Sequence, residues 1–224
     1  MSDIMRPKYI TFDCYGTLTN FQMGTLAREA FAEQIPDAKR MAQFVQDFSA
    51  YRFDEVLGEW KPYDQVIRTA LARTCARWNL TYDDTVGQRF YAAVPTWGPH
   101  PDVTAGLSRI ADKIPLVIYS NAAGDQIMAN VDKLGVPFAH VFTAERFKVY
   151  KPRLAAFEAM IDTLGCAPEE LLHVSSSFRY DLFSASFMGI RDKAFINRGH
   201  EPYTPGYGAT EVADTHGLAE LVGL

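Results

Sequence analysis

Apolar residues recur along this chain in two rhythms, and the change from one to the other divides it. Tyr9-Ile10-Thr11-Phe12 is a short apolar run closed by Asp13 and a turn at Gly16, the pattern of a buried strand that delivers a carboxylate to its C-terminal end. From about residue 21 to 94 no such run occurs, and apolar positions follow helical spacing broken at Pro36 and Pro62. Over residues 37–58, Met41, Phe44, Val45, Phe48 and Val56 share one stripe, and Arg52 falls on it. Residues 63–78 repeat the pattern with Val66, Ile67, Ala70, Leu71, Thr74 and Trp78. The spacing predicts four helices inserted as one block behind a single strand. The prolines of residues 95–101 bar regular helix, which makes that stretch the returning linker. Beyond it, strands over 115–119, 141–143, 171–174 and 193–196 alternate with helices over 102–113, 124–134, 153–164 and 180–188. Such alternation predicts a parallel sheet with helices on both faces. The expected architecture is a doubly wound α/β core from residues 1–20 and 98–224, with an inserted α-helical cap domain of residues 21–97.

Composition narrows the class. A chain of 224 residues can bury one good core, or one core domain with a small appended one. With 48% hydrophobic and 22% charged residues it has the makeup of a soluble globular enzyme. A net charge of −5 argues against nucleic acid or an anionic membrane as partner. No apolar run approaches the roughly 18 residues of a membrane span, and the N-terminus enters the first strand without room for a signal peptide. Cys14, Cys75 and Cys166 are odd in number and lack C-x-x-C spacing, and the histidines lack H-x-x-H spacing. This pattern suits a reducing compartment with neither disulfide framework nor zinc site, and a cytoplasmic location is expected.

The candidate chemistry lies at the strand ends. After the core strands come residues 13–17, Ser120-Asn121, Lys151-Pro152, and the segment 175–181, which reads Ser-Ser-Ser-Phe-Arg-Tyr-Asp. One polar strand end is ordinary. Four, bearing a carboxylate, a hydroxyl with an amide, an amine and a second carboxylate, suggest convergence on one pocket at the edge where open α/β sheets bind ligands. Each residue also has a plainer reading. Lys151 would be a solvated surface lysine, Asp181 an acid compensating a helix start, and Arg52 a side chain laid along the core or paired with Glu55.

The run Asp13-Cys14-Tyr15-Gly16-Thr17-Leu18 resembles the nucleophile loop of the haloacid dehalogenase superfamily. It is most similar to the (S)-2-haloacid dehalogenases, where a tyrosine lies two residues after the nucleophile. The four strand-end clusters stand in the order of that superfamily's motifs, and Asn197-Arg198-Gly199 is also similar. The resemblance implies that Asp13 attacks C2 of a short 2-haloacid, kept ionised by Lys151. Arg52 and Asn121 would receive the halide, and Ser120 and Thr17 would hold the substrate carboxylate. Tyr15, Trp60 and Phe178 would wall the pocket. Water would be positioned by Asp181, Lys151 and one of Ser175, Ser176 and Ser177, with Ser177 the first choice. The resemblance further implies no cofactor, no metal and a homodimer.

Two absences weigh against a phosphatase of the same fold. Such enzymes carry an acid two residues after the nucleophile to protonate a leaving oxygen, and another acid four residues before the last one to hold Mg²⁺. Tyr15 and Ser177 occupy those places. Halide leaves without a proton, and the reacting carbon carries no charge to neutralise. The alternatives are a Mg²⁺-dependent phosphatase, a catalytically weak binding protein, or ring opening of a strained carboxylic acid. The segment 175–181 departs from the Ser-Asn-x-Trp-Asp of familiar members by one residue, and Phe157 stands where they carry a tyrosine. Both changes bear on the hydrolytic step.

Overall fold

The computed structural model describes residues 6–224. The chain divides into two compact units, residues 1–20 with 98–224, and residues 21–97.

The first unit is built on six parallel strands: β1 (Tyr9–Phe12), β2 (Leu116–Ser120), β3 (His140–Thr143), β4 (Leu171–Ser175), β5 (Asp192–Ile196) and β6 (Thr210–Val212). Their spatial order is β3-β2-β1-β4-β5-β6. Every residue of β2 and β4 is buried, as expected where a parallel sheet is covered on both faces. Alternation along the strands divides the core in two. Ile10, Phe12, Leu116, Ile118, Leu172 and Val174 pack on one side with Val103, Leu107, Ile127 and Leu218. Val117, Tyr119, Phe142 and Leu171 pack on the other with Ala156, Phe157, Met160 and Ala185.

The second unit holds α1 (Met23–Ala30), α2 (Ala38–Leu57), α3 (Tyr63–Trp78) and α4 (Asp84–Ala93). Asp37 and Asp83 cap α2 and α4 with side-chain oxygens that accept backbone N–H groups. α3 closes on Asn79 in the left-handed conformation. Its core is aromatic, with the ring of Phe44 4.8 Å from Phe31 and 5.6 Å from Trp78, and Phe48 6.0 Å from Phe90.

The remaining helices of the first unit are α5 (Val103–Ser108), α6 (Gly124–Val131), α7 (Ala144–Phe147), α8 (Leu154–Leu164), α9 (Phe183–Phe187) and α10 (Thr215–Leu221). The helix expected over 102–113 stops at Ser108, and turns carry the chain to Pro115, which bars helix in the residue before it. The helix expected over 180–188 is instead a five-residue π-turn, Phe178–Leu182, running into α9. Gly106 permits the close approach of α5 and α10, since a Cβ there would stand 2.1 Å from Thr215 Oγ1. Among the described residues no helix is long and apolar enough to cross a membrane.

Candidate active site

The sheet reverses its order at β1, and the crevice at such a reversal is where open α/β sheets take ligands. Asp13 follows β1 there, its backbone N–H donating to Val174 of β4 at 3.0 Å. The next turn needs Gly16, whose φ of +95° suits a residue without a Cβ. That turn brings Thr17 back beneath the carboxylate. Its hydroxyl donates to Asp13 Oδ2 at 2.8 Å and accepts the Ser176 N–H at 2.9 Å, tying the loop after β1 to the loop after β4.

Lys151 is held by its own backbone. The Asn121 side chain donates to the Lys151 carbonyl and accepts its N–H, both at 2.8 Å, and the Lys151–Pro152 peptide is cis. The ammonium has three acceptors for three protons: Asp13 Oδ1 at 2.9 Å, Asp181 Oδ1 at 2.6 Å and the Tyr119 carbonyl at 2.9 Å. Asp181 Oδ1 also accepts from His173 Nε2 at 3.0 Å, and His173 Nδ1 meets the Thr11 hydroxyl at 2.8 Å. Lys151, Asp181 and His173 are buried to within 1% of full enclosure, while the Asp13 side chain keeps 12% of its surface.

These contacts set the electrostatics. Burial disfavours the ammonium of Lys151, but the two carboxylates outweigh it and raise its pKa, so it stays charged. Burial and the Asp181 charge push Asp13 up against the pull of Lys151 and Thr17. For Asp181, burial is overcome by Lys151 and by the hydrogen bond from His173, and its pKa falls. One carboxylate is thus poised and partly open, and the other is a fixed buried anion.

The structure therefore brings Asp13, Thr17, Lys151 and Asp181 together. Ser120 is buried, and its hydroxyl has no hydrogen-bond partner among the described residues. Asn121 spends its amide on the Lys151 backbone rather than standing free for a halide. Ser177, expected beside the nucleophile, donates to Glu201 at 2.7 Å and caps the π-turn by accepting from the Tyr180 N–H at 3.2 Å. Ser176 is the serine at the nucleophile loop, its Oγ 3.2 Å from Thr17 Oγ1. Phe178, expected as a pocket wall, packs with Phe195, ring centroids 4.8 Å apart, in a separate apolar cluster. The Tyr15 hydroxyl donates to Asn130 at 2.8 Å.

Arg52 belongs to the second unit. Its guanidinium lies 5.0 Å from the ring centres of both Phe21 and Phe48, and it forms no ion pair among the described residues. The alternative pairing with Glu55 is absent, because Lys61 and Arg73 take that carboxylate.

Sequence reading missed His173 and Thr11, whose pairing depends on the β1–β4 register. It also missed Glu201, which accepts from the N–H of Phe178 at 2.8 Å. The one available signal was an imidazole in the otherwise apolar run of β4. Arg198 grips Asp102 with two bonds of 2.7 and 3.0 Å and donates to the Thr17 carbonyl at 3.1 Å, so the segment 197–199 braces the nucleophile loop.

The donor set does not fit a magnesium ion, which asks for several hard oxygen ligands. Asp13 and Asp181 are already bridged by an ammonium, the Tyr15 hydroxyl is turned to Asn130, and Ser177 is turned to Glu201. Among the described residues no three His, Cys, Asp or Glu side chains cluster as a metal would need.

A family model described as haloacid dehalogenase-like hydrolase matches residues 7–189. The chain belongs to the haloacid dehalogenase-like hydrolases. Within that family it is 28% identical to the (S)-2-haloacid dehalogenase H-109 of Pseudomonas putida, over 95% of each chain. Two solved structures share the fold of this haloacid dehalogenase-like hydrolase. The L-2-haloacid dehalogenase from Xanthobacter autotrophicus with chloropropionic acid covalently bound is 24% identical, with a TM-score of 0.78 over 97% of this chain and 98% of that one. YfnB from Bacillus subtilis, bound to magnesium, is 16% identical, with a TM-score of 0.81 over 98% of this chain and 100% of that one. The fold alone thus does not choose between chemistries, and the residues must.

Proposed function

We propose that this protein is a hydrolytic 2-haloacid dehalogenase working through an aspartyl ester on Asp13. The observation that carries the reading is the way Asp13 is held: one oxygen on Lys151, the other on Thr17, with a tyrosine turned to Asn130 at the position, two residues on, where a phosphatase carries its proton-donating acid. The full-length similarity to a (S)-2-haloacid dehalogenase supports it. In the first step an Asp13 oxygen forms a bond to C2 and the C–X electron pair leaves with the halide. No proton moves. In the second step water adds to the Asp13 carboxyl carbon and gives one proton to its surroundings. Collapse then returns the carboxylate and releases the 2-hydroxy acid.

Lys151 keeps the nucleophile charged and oriented, and Asp181 with Lys151 positions the water. Ser176, through Thr17, is the serine the geometry favours at the nucleophile loop, ahead of Ser177. Arg52 is assigned to the halide on its own surroundings, a cation between two rings with no ion pair among the described residues. Ser120, whose buried hydroxyl has no hydrogen-bond partner among the described residues, is assigned to the substrate carboxylate. The inserted helical unit is assigned the role of a cap. The free thiols of Cys14, Cys75 and Cys166 support a cytoplasmic location, and the likeness to the dehalogenases supports a homodimer.

The test is halide release from L-2-chloropropionate, chloroacetate and fluoroacetate in EDTA, with a phosphate monoester as control. Release of chloride with inversion to D-lactate, unaffected by the chelator, is expected. Silence on every halo acid together with magnesium-dependent phosphate release would overturn the reading.

A further inference from the structure

His173 is the one titratable member of the buried network to which the reaction above gives no part. It lies in β4, fully enclosed, on the face it shares with Phe157 and Tyr119, and the Phe157 ring meets it edge-on at 5.3 Å. Its neighbours on that face, Leu171, Phe157 and Ala185, are apolar. An imidazole there carries a desolvation cost that a leucine or phenylalanine would avoid, so packing alone does not account for it.

Both ring nitrogens are committed. Asp181 Oδ1, as a carboxylate, only accepts, so His173 Nε2 carries the hydrogen of their 3.0 Å bond. Thr11 stands 2.8 Å from Nδ1, directly across the β1–β4 register, with the Leu172 carbonyl as a second acceptor at 3.5 Å. The ring cannot flip or tilt without losing one of these bonds. Asp181 is therefore gripped through a single oxygen. Lys151 and His173 both donate to Oδ1, while Oδ2 is buried and has no hydrogen-bond partner among the described residues. A buried carboxylate oxygen left this way is costly unless something outside the protein chain uses it.

We propose that His173 is a positioning residue for the hydrolytic half-reaction: it pins Asp181 by Oδ1 so that Oδ2 is presented to the water that attacks the Asp13 ester. The inference rests on the dehalogenase reading above. That water forms its new bond to the Asp13 carboxyl carbon and passes one proton to Asp181 Oδ2. Its second proton goes to the departing hydroxyl oxygen of the product, and Asp181 later returns its proton to solvent. Ester formation needs none of this, so loss of His173 affects one step only.

Rapid mixing of excess 2-chloropropionate with His173→Phe tests it, with chloride and the mass of the Asp13 peptide followed together. A burst of one chloride per active site is expected, then turnover slowed roughly 10–100-fold, the usual effect of removing a group that orients a functional ligand. The Asp13 peptide should carry the acid-derived adduct during that slow phase. His173→Gln, whose amide nitrogen reaches the place of Nε2, should restore most of the rate. Should His173→Phe fail to fold, Thr11→Val, which frees the far side of the ring, should show a smaller loss confined to the same step. A first turnover slowed as much as later ones, or steady turnover unchanged in folded variants, would overturn the inference and leave the dehalogenase reading intact. Absence of chloride from the unmodified protein would sink that reading and this inference with it.

Discussion

Asp13→Asn is expected to lower halide release by at least about 10⁴-fold, the scale seen when a covalent nucleophile is deleted, without loss of the fold. An amide oxygen carries no charge to displace a halide, and no other carboxylate of the cluster is free to substitute, since Asp181 is fully buried and already tied by Lys151 and His173. The stability prediction runs opposite to the activity prediction. Asp13 has a pKa raised above its unfolded value, so its contribution to stability is present below the unfolded pKa and is lost as pH rises through the folded one. At neutral pH the ionised side chain therefore works against folding, and replacing it should leave the melting temperature unchanged or higher. Steady-state halide assays and thermal melts at pH 7 check both halves. A variant that is inactive because it is unfolded would contradict the assignment.

Lys151→Met is expected to damage rate and stability together. The ammonium is the group between two carboxylates that are otherwise left facing each other in a site almost closed to water. Removing one partner of a buried ion pair costs about 3–5 kcal/mol, so a clear drop in melting temperature should follow. The rate at pH 7 should fall on the order of 10³-fold, through loss of orientation and of the charge that offsets burial at Asp13. The pH profile carries the sign. Activity belongs to ionised Asp13, so it is present above the pKa of that group and lost below it. Burial and Asp181 already push this pKa up, and Lys151 pulls it back. Without the lysine the acid limb of the rate should move to higher pH. Lys151→Arg should not restore the wild-type profile, because a planar fork does not match three acceptors arranged about a point charge.

Much of the architecture was legible because buried parallel strands read as near-continuous apolar runs. β1, β2, β4 and β5 lie where such runs end in polar clusters, and α2 and α3 follow the stripes of Phe44 and Phe48 and of Val66 and Leu71. β6 and α10 escaped because a three-residue edge strand and a seven-residue helix carry too few apolar positions to show a period.

At the site, Asp13, Thr17, Lys151 and Asp181 are readable as strand-end polar groups, whereas the contacts of Ser177 and Phe178 are not, for a physical reason. A serine between a strand and a helical turn is also a good N-cap, and here the cap takes its hydroxyl. The π-turn that follows packs Phe178 among Phe195 and Tyr203. The bonds from His173 to Asp181 and Thr11 could not be read at all, since they depend on strand register rather than on any local pattern.

The covalent ester is tested most directly by one turnover in H₂¹⁸O with enzyme in excess over L-2-chloropropionate. Heavy oxygen is expected in the Asp13 carboxyl group, with the first D-lactate formed carrying none of it. Label appearing in that first lactate, with Asp13 unlabelled, would mean that water attacks carbon directly and that the aspartate is no nucleophile.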